Sequence, residues 1–454
     1  MMLELRNIRV IAGLAWRDAL RSRLFVTLIL LTLTGSIGLP LIVEGDGTIP
    51  GKVHILLYYS LSYAVSILAI AAIWCGCAAI PREIASRHIH LLLSKPVHPA
   101  TIWCGHWLGI SSMCVVLLGL SGAIVYATLL WTIRPGVASP ADLELLEHEV
   151  LTGRRVIGPL DEDLERRTHE ELAARRATGQ LNDAISDGEA LRTLRKHLQR
   201  RRSTVGPGQQ THWSFLVPGH AEQHENVSLR FQFSISRPRG QAVIGTWRLG
   251  STPIEPAREY YPNLPQEIRV PAGVLTSPAE ISFELEGNPD DPSILFDPDT
   301  GIELLIRESG FVPNYLRSLL VAACLLVALT AFGLAAGGLL SLPTATFATF
   351  AVLTACLLAH YIGTDYWATP ESGNNAGSPL IRVFGHVTDS IVTLVNRLTR
   401  PAIQQPGMRP MADGELISWE QVAHAALNYV VIYGGAFALA GIWLFRRREI
   451  GTAS

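Results

Sequence analysis

The stretch PREIASRHIHLLLSKPVHPA, Pro81 to Ala100, separates two apolar runs, 55–80 and 101–132. Each run is long enough to cross a bilayer, which takes about 20 residues. Pro81 is expected to end the helix of the first run or to sit in the first turn of a new one. Arg82 and Glu83 then place charge at the water boundary. Residues 84–94 have room for about three helical turns, and Pro96 and Pro99 stop that helix before the next run begins. The expectation is a short helix lying on the membrane surface between two spans. Leu91, Leu92 and Leu93 exceed what anchoring needs, and some of them can fill a groove on a soluble partner.

The rest of the chain agrees with a polytopic membrane protein. Of 454 residues, 48% are hydrophobic and only 17% charged, against about one quarter charged in soluble domains. The mean hydropathy is +0.27, and the apolar residues are clustered. A formal net charge of -2 says little about partners, because charge is segregated along the chain. Basic charge is almost all arginine; the lysines are Lys52, Lys95 and Lys196. Six cysteines, Cys75, Cys77, Cys104, Cys114, Cys324 and Cys356, fall in or beside apolar runs. They read as small packed hydrophobes rather than a disulfide or zinc framework. The Leu24–Val43 run is longer than a typical signal-peptide core and lacks a small-residue cleavage site, so it reads as a retained span.

Before that run, Ile8, Ile11, Leu14 and Ala15 recur at helical spacing among Arg6, Arg9, Arg17, Arg21 and Arg23. This pattern predicts an amphipathic interfacial helix with its arginines toward headgroups. Apolar runs follow at 24–43, 55–80, 101–132, 316–341, 343–362 and 425–445, which predicts six spans. Only Ser341-Leu342-Pro343 divides the fourth from the fifth, so five spans remain open. Arginine and lysine at the N-terminus, in the 82–95 segment and at Arg446-Arg447-Arg448 fall on one side in the six-span arrangement. The positive-inside rule makes that side cytoplasmic.

The spans carry few ionisable groups. His106 and His360 lie near predicted ends, and no acid or base is placed mid-span, which argues against drive by protons or ions within the bilayer. Small residues are plentiful: Gly333 and Gly337 with Gly338 in the fourth span, Gly434, Gly435, Ala438 and Gly441 in the sixth. Small-xxx-small spacing lets helices approach closely, either within the chain or at a dimer seam.

Four segments result. Residues 1–132 hold the first helix, three spans and the 82–95 segment. Residues 133–205 are charged and helical, with alternating signs at i, i+4 in DEDLERRTHEELAARRA and EALRTLRKHLQRRR. Residues 206–313 change character. SLRFQFSISR, AVIGTWRLGS, QEIRVPAGVL, AEISFELEG and IELLIRESG read as short alternating strands between Gly, Pro, Asn and Asp turns, the pattern of an antiparallel β-sandwich. Residues 314–454 hold the last three spans. In this segment PLIRVFGHVTDSIVTLVNRL, 379–398, has helical spacing but too much polarity to span, and is expected at the outer interface.

The opening segment resembles one in permease subunits of ABC-2-type ATP-driven transporters. Their second and third spans are often joined by a stretch of the form R-E-x-x-x-G-T-x-x-x-L-L-x-x-P-v-x-R. Here it runs Arg82-Glu83, then Leu91-Leu92-Leu93, then Ser94-Lys95-Pro96-Val97. Arg87-His88 stand where the family has Gly-Thr, Pro99 where it has a basic residue, and His106 where a lysine is often found. The order of elements is also similar: an elbow helix, six spans and a helical outer loop before the last. The resemblance covers 1–132 and 314–450. It implies a six-helix exporter-like fold with an inserted extracytoplasmic α+β domain, in a bacterial inner membrane with both termini cytoplasmic. It also implies that Arg82, Glu83, Arg87, His88, Leu91, Leu92, Lys95 and Pro96 form a coupling helix docking on an ABC ATPase. Two permease copies, or this chain and a related permease, would pair with two ATPase subunits.

No phosphate-binding loop G-x-x-x-x-G-K-[ST] occurs; Gly51-Lys52 lacks the upstream glycine. The expectation is therefore a non-catalytic chain without its own cofactor, with ATP and Mg held by the partner ATPase. HAEQH, 220–224, lacks the order of a zinc-protease helix, and the acidic turns NPDDPS and DPDTG lack calcium-loop spacing. No G-x-S-x-G elbow appears. Arg200-Arg201-Arg202 reads as a solvated helix end rather than a nucleic-acid site. Two functional classes stay open: a permease subunit of an ATP-driven exporter, and a membrane-anchored sensory or envelope-assembly protein whose outer sandwich binds a ligand without transport. A coupling segment that tolerates replacement would mark the second.

Overall fold

The computed structural model describes residues 2–42, 48–85, 98–134, 139–160, 162–178, 187–218, 227–235, 242–271, 275, 277–287, 291–297, 301–365 and 408–447. The chain forms two compact units. One comprises Met1–Leu151 with Gly310–Ser454, the other Thr152–Ser309.

The first unit is helical. α1 (Met2–Arg21) and α2 (Arg23–Ile42) meet at Ser22 with a 75° bend. α3 (Ile49–Ala85) and α4 (Pro99–Thr132) stand on either side of residues 86–98. α5 (Pro140–Glu149) starts with a capping box between Ser139 and Asp142. After the second unit come α8 (Phe311–Leu339) and α9 (Leu342–Asp365), then the short α10 (Met408–Ala412). The last crossing is composite: α11 (Trp419–Ala425), a π-helical stretch Ala426–Gly434, and α12 (Gly435–Arg447). Among the described residues, four helices are long and apolar enough to cross a membrane: Ile49–Ile84, Pro99–Thr132, Phe311–Leu339 and Trp419–Trp443. The bent α1–α2 pair makes a fifth if counted as one span. The expected 343–362 span falls in α9, Leu342–Asp365, of which the apolar stretch Leu342–Cys356 counts among the shorter helices of the described residues; these residues show four or five candidate spans, and six are not confirmed.

Pro81 neither ends nor begins a helix; it lies inside α3, which continues to Ala85. Its missing N–H frees the Cys77 carbonyl four residues back. Burial holds the last turns in line, since Ile80 is packed with Trp103, Ala331 and Leu334. Pro99 stands at N1 of α4, with the His98 side chain accepting from the Ala100 amide at 3.2 Å. The residues between, 86–97, and the expected outer helix at 379–398 lie outside the described residues.

The second unit carries the sheets. α6 (Glu162–Ala177) and α7 (Asp187–Arg202) pack through Leu172, Ala190 and Leu194, as charged helices with one narrow apolar stripe do. The strands are β1 (Thr152–Ile157), β2 (Thr204–Val205), β3 (Gln210–Phe215), β4 (Val227–Phe231), β5 (Phe233–Ile235), β6 (Val243–Leu249), β7 (Thr252–Pro253), β8 (Arg258–Tyr260), β9 (Gln266–Val270), β10 (Ala279–Leu285), β11 (Ile294–Phe296) and β12 (Ile302–Gly310). One sheet has the order β1-β12-β4-β9, another β3-β10-β6-β7 with β8 beside β6, and a third β2-β11-β5. The pairings among β2 to β12 are antiparallel, with Leu304 opposite Leu229 and Phe283 opposite Trp247. Alternation drives this: Val227, Leu229 and Phe231 of β4 are buried, as are Trp247 and Leu249 of β6. Side chains from all three sheets share one core, rich in Trp213, Phe215, Phe233, Trp247, Phe283 and Phe296.

Candidate functional site

The polar group buried deepest beside the 86–97 segment is an acid–imidazole contact between two spans. Glu83, in the last turn of α3, faces His106, two turns into α4. The Oε1–Nε2 distance is 2.9 Å, and the side chains are 14% and 4% exposed. The contact is an ion pair when the imidazole is protonated. Both ring nitrogens are buried without a hydrogen bond among the described residues, so the contact with Glu83 is one of charge proximity. Buried polar groups in an apolar bundle are costly and read by default as functional. This pair is absent from the sequence-based expectation, which placed Glu83 at the water boundary and His106 near a span end.

Close packing fixes the pair's surroundings. Trp103, one turn before His106, is 1% exposed and lies 5.6 Å from the Trp107 ring, centroid to centroid. Trp107 donates its Nε1–H to the Val327 carbonyl of α8 at 3.0 Å. Gly441 of α12 faces this pair of rings: a Cβ there would fall 2.6 Å from Trp103 Nε1. Gly434 likewise abuts Trp107. On the other side, α1 lies along α4 at two glycines spaced four apart. A Cβ at Gly105 would meet Ile11 at 2.7 Å, and one at Gly109 the Ala12 carbonyl at 2.7 Å. Trp16 of α1 donates to Ser112 of α4 at 2.9 Å. The face of α1 carrying Ile11, Ala12, Ala15 and Ala19 is thereby buried, while Arg6, Arg9, Arg17 and Arg21 stay exposed.

α3 and α8 meet through glycine as well. A Cβ at Gly333 would lie 2.5 Å from the Ile73 carbonyl, and one at Gly337 2.5 Å from the Cys77 carbonyl. The second is the carbonyl that Pro81 leaves without its helical partner. Both Gly333 and Gly337 therefore sit within this chain's own helix contact.

Among the residues expected to couple, Arg82 is exposed and Glu83 half-buried. Arg87, His88, Leu91, Leu92, Lys95 and Pro96 lie outside the described residues.

A second polar cluster stands near the other end of α3. His54 Nε2 is 2.7 Å from Asp413. The fully buried Asn314 accepts from the Ile417 amide at 2.8 Å and donates to the Glu415 carbonyl at 2.7 Å. Arg317 donates to the Ile417 carbonyl and lies 5.0 Å over the Trp419 ring. His54 and Glu83 are about 44 Å apart along α3, longer than a hydrocarbon core of about 30 Å. The two clusters therefore lie toward opposite ends of α3.

No protein-family model matches the chain, and no curated protein matches it.

Proposed function

We propose that this chain is the membrane-embedded permease subunit of an ATP-driven transporter of the ABC-2 type, working as an exporter. A separate ATPase docks on the 82–95 segment. The observation that carries this reading is Glu83: the acid of the Arg82-Glu83 motif is tied to His106, so a push on the segment's start reaches α4 as well as α3. Because α1 is seated on α4 beside the same point, three helices meet where the partner would press. The arrangement fits transmission by positioning; this chain's residues carry no step of hydrolysis. ATP and Mg belong to the ATPase, and ATP and cargo each favour one conformation by linkage.

In this reading the chain sits in a bacterial cytoplasmic membrane with both termini inside and residues 133–313 outside. Two copies, or this chain and a related permease, complete the transporter. The test is ATP hydrolysis by the reconstituted assembly. Glu83→Arg and Leu91→Pro are expected to abolish ATPase association, and His106→Leu to leave the ATPase bound but poorly coupled to cargo movement. Full transport in the first two variants would overturn the assignment in favour of a sensory or envelope-assembly role.

A further inference from the structure

Glu83 and His106 meet just beyond a weak point in α3. Pro81 has no N–H to give the Cys77 carbonyl, so the last turn, Arg82 to Ala85, is joined to the helix with one hydrogen bond fewer. Prolines are where helices bend. What holds this turn in line lies beside it. Ile84 packs with Ile80 and Trp103, and Glu83 Oε1 stands 2.9 Å from His106 Nε2. The first contact is apolar and indifferent to pH. The second is not.

An imidazole changes charge between about pH 5 and 8. Protonated, His106 supplies a cation to the carboxylate in a place where charge is poorly solvated. Its side chain is 4% exposed, and neither ring nitrogen has a hydrogen-bond partner among the described residues. Neutral, it withdraws that cation, and a carboxylate then gains by moving into water. The way out is short, since Glu83 lies in the last turn and is already 14% exposed. The surroundings are otherwise apolar, thiol or turned outward. Around Trp103, one turn from His106, α8 brings Ala331 and Leu334 and α12 brings Phe437 and Ile442. α1 sets Ile11 against Gly105, with Arg6 and Arg9 exposed. On α3, Arg82 is exposed and Cys77 packs with Ala345; on α4, Cys104 is half-buried. We propose that Glu83 and His106 form a proton-operated latch: protonated His106 holds the last turn of α3 on α4, and loss of the proton lets that turn swing about Pro81 into water. The latch makes the start of the 86–97 segment answer to the pH of the water at that end of α3. It needs no ATPase and stands whether or not one docks there.

Amide hydrogen exchange of the whole chain in nanodiscs, with no ATPase present, tests this at about pH 5.5 and about pH 8. Rates are corrected for the intrinsic effect of pH. Protection of the amides of residues 82–85 is expected to fall at least about tenfold from the lower pH to the higher, while the buried middle of α4 does not change. Glu83→Gln has no carboxylate to release and should lose that fall. His106→Leu should show weak protection at both pH values. E83L/H106L should be protected at both, which guards against a turn that merely fails to fold. Equal protection of the unaltered chain at the two pH values would overturn the proposal. So would the same pH-dependent loss in E83L/H106L, which would place the titrating group elsewhere.

Discussion

Among the described residues, the contact of His106 is with the Glu83 carboxylate at 2.9 Å, and neither ring nitrogen makes a hydrogen bond. Removing either partner leaves the other buried and uncompensated, which costs about 3–5 kcal/mol for an interior pair. Replacing both with apolar side chains removes the two desolvation costs together. Glu83→Gln and His106→Leu are each expected to lower the unfolding temperature in detergent. Glu83→Leu/His106→Leu should lose much less than the sum of the two single leucine variants, and an additive double variant would show that the pair is not coupled. Tyr260 offers a second residue-scale test. Its hydroxyl is buried without a partner among the described residues. Burial, and less strongly Glu255, push its pKa up to about 12, with Arg258 opposing. A tyrosine ordinarily titrates near 10, so the unfolded chain loses this proton first. Stability is therefore full below pH 10 and falls as pH rises from about 10 to 12. Tyr260→Phe should be neutral or slightly stabilising at pH 7 and flatten that alkaline loss. An unchanged alkaline profile would contradict it.

At the scale of elements, glycine decides how near the helices come. Gly337→Val forces a side chain onto the Cys77 carbonyl and is expected to cost about 1–3 kcal/mol. Gly119→Ala in α4 meets nothing within 4 Å and should gain up to about 1 kcal/mol from helix propensity. Thermal unfolding of the two variants checks the contrast, and equal effects would contradict the packing. These elements were legible in the sequence to different degrees. β4, β6, β9, β10 and β12 follow from period-two alternation. β1 did not show, because its inward Arg154 pairs with Glu267 and reads as surface charge in a helical stretch. β3, QTHWSF, is equally masked by polar residues. Pro81 misled for a tertiary reason: Ile80 and Ile84 contribute to the packing around Trp103, which keeps the helix going past the proline. The Glu83–His106 contact joins two helices across 23 positions, and no local pattern encodes it. The clue available was a histidine inside an apolar run, where an imidazole needs a partner.

For the whole molecule, the two units have separate cores. Residues 152–309 alone are therefore expected to fold, with a β-type circular dichroism spectrum and blue-shifted emission from the buried Trp213 and Trp247. A red-shifted, non-cooperative product would show that the helical unit is needed to complete the sheet core. The helical unit, in turn, holds the segment between α3 and α4 on which we propose that an ATPase docks. The most direct measurement is a mild-detergent pull-down of the chain from its native membrane, followed by assay of the eluate for ATP hydrolysis. The expected result is a stoichiometric P-loop ATPase that disappears with Glu83→Arg and Leu91→Pro. A pull-down without any ATPase, repeated after cross-linking, would contradict it.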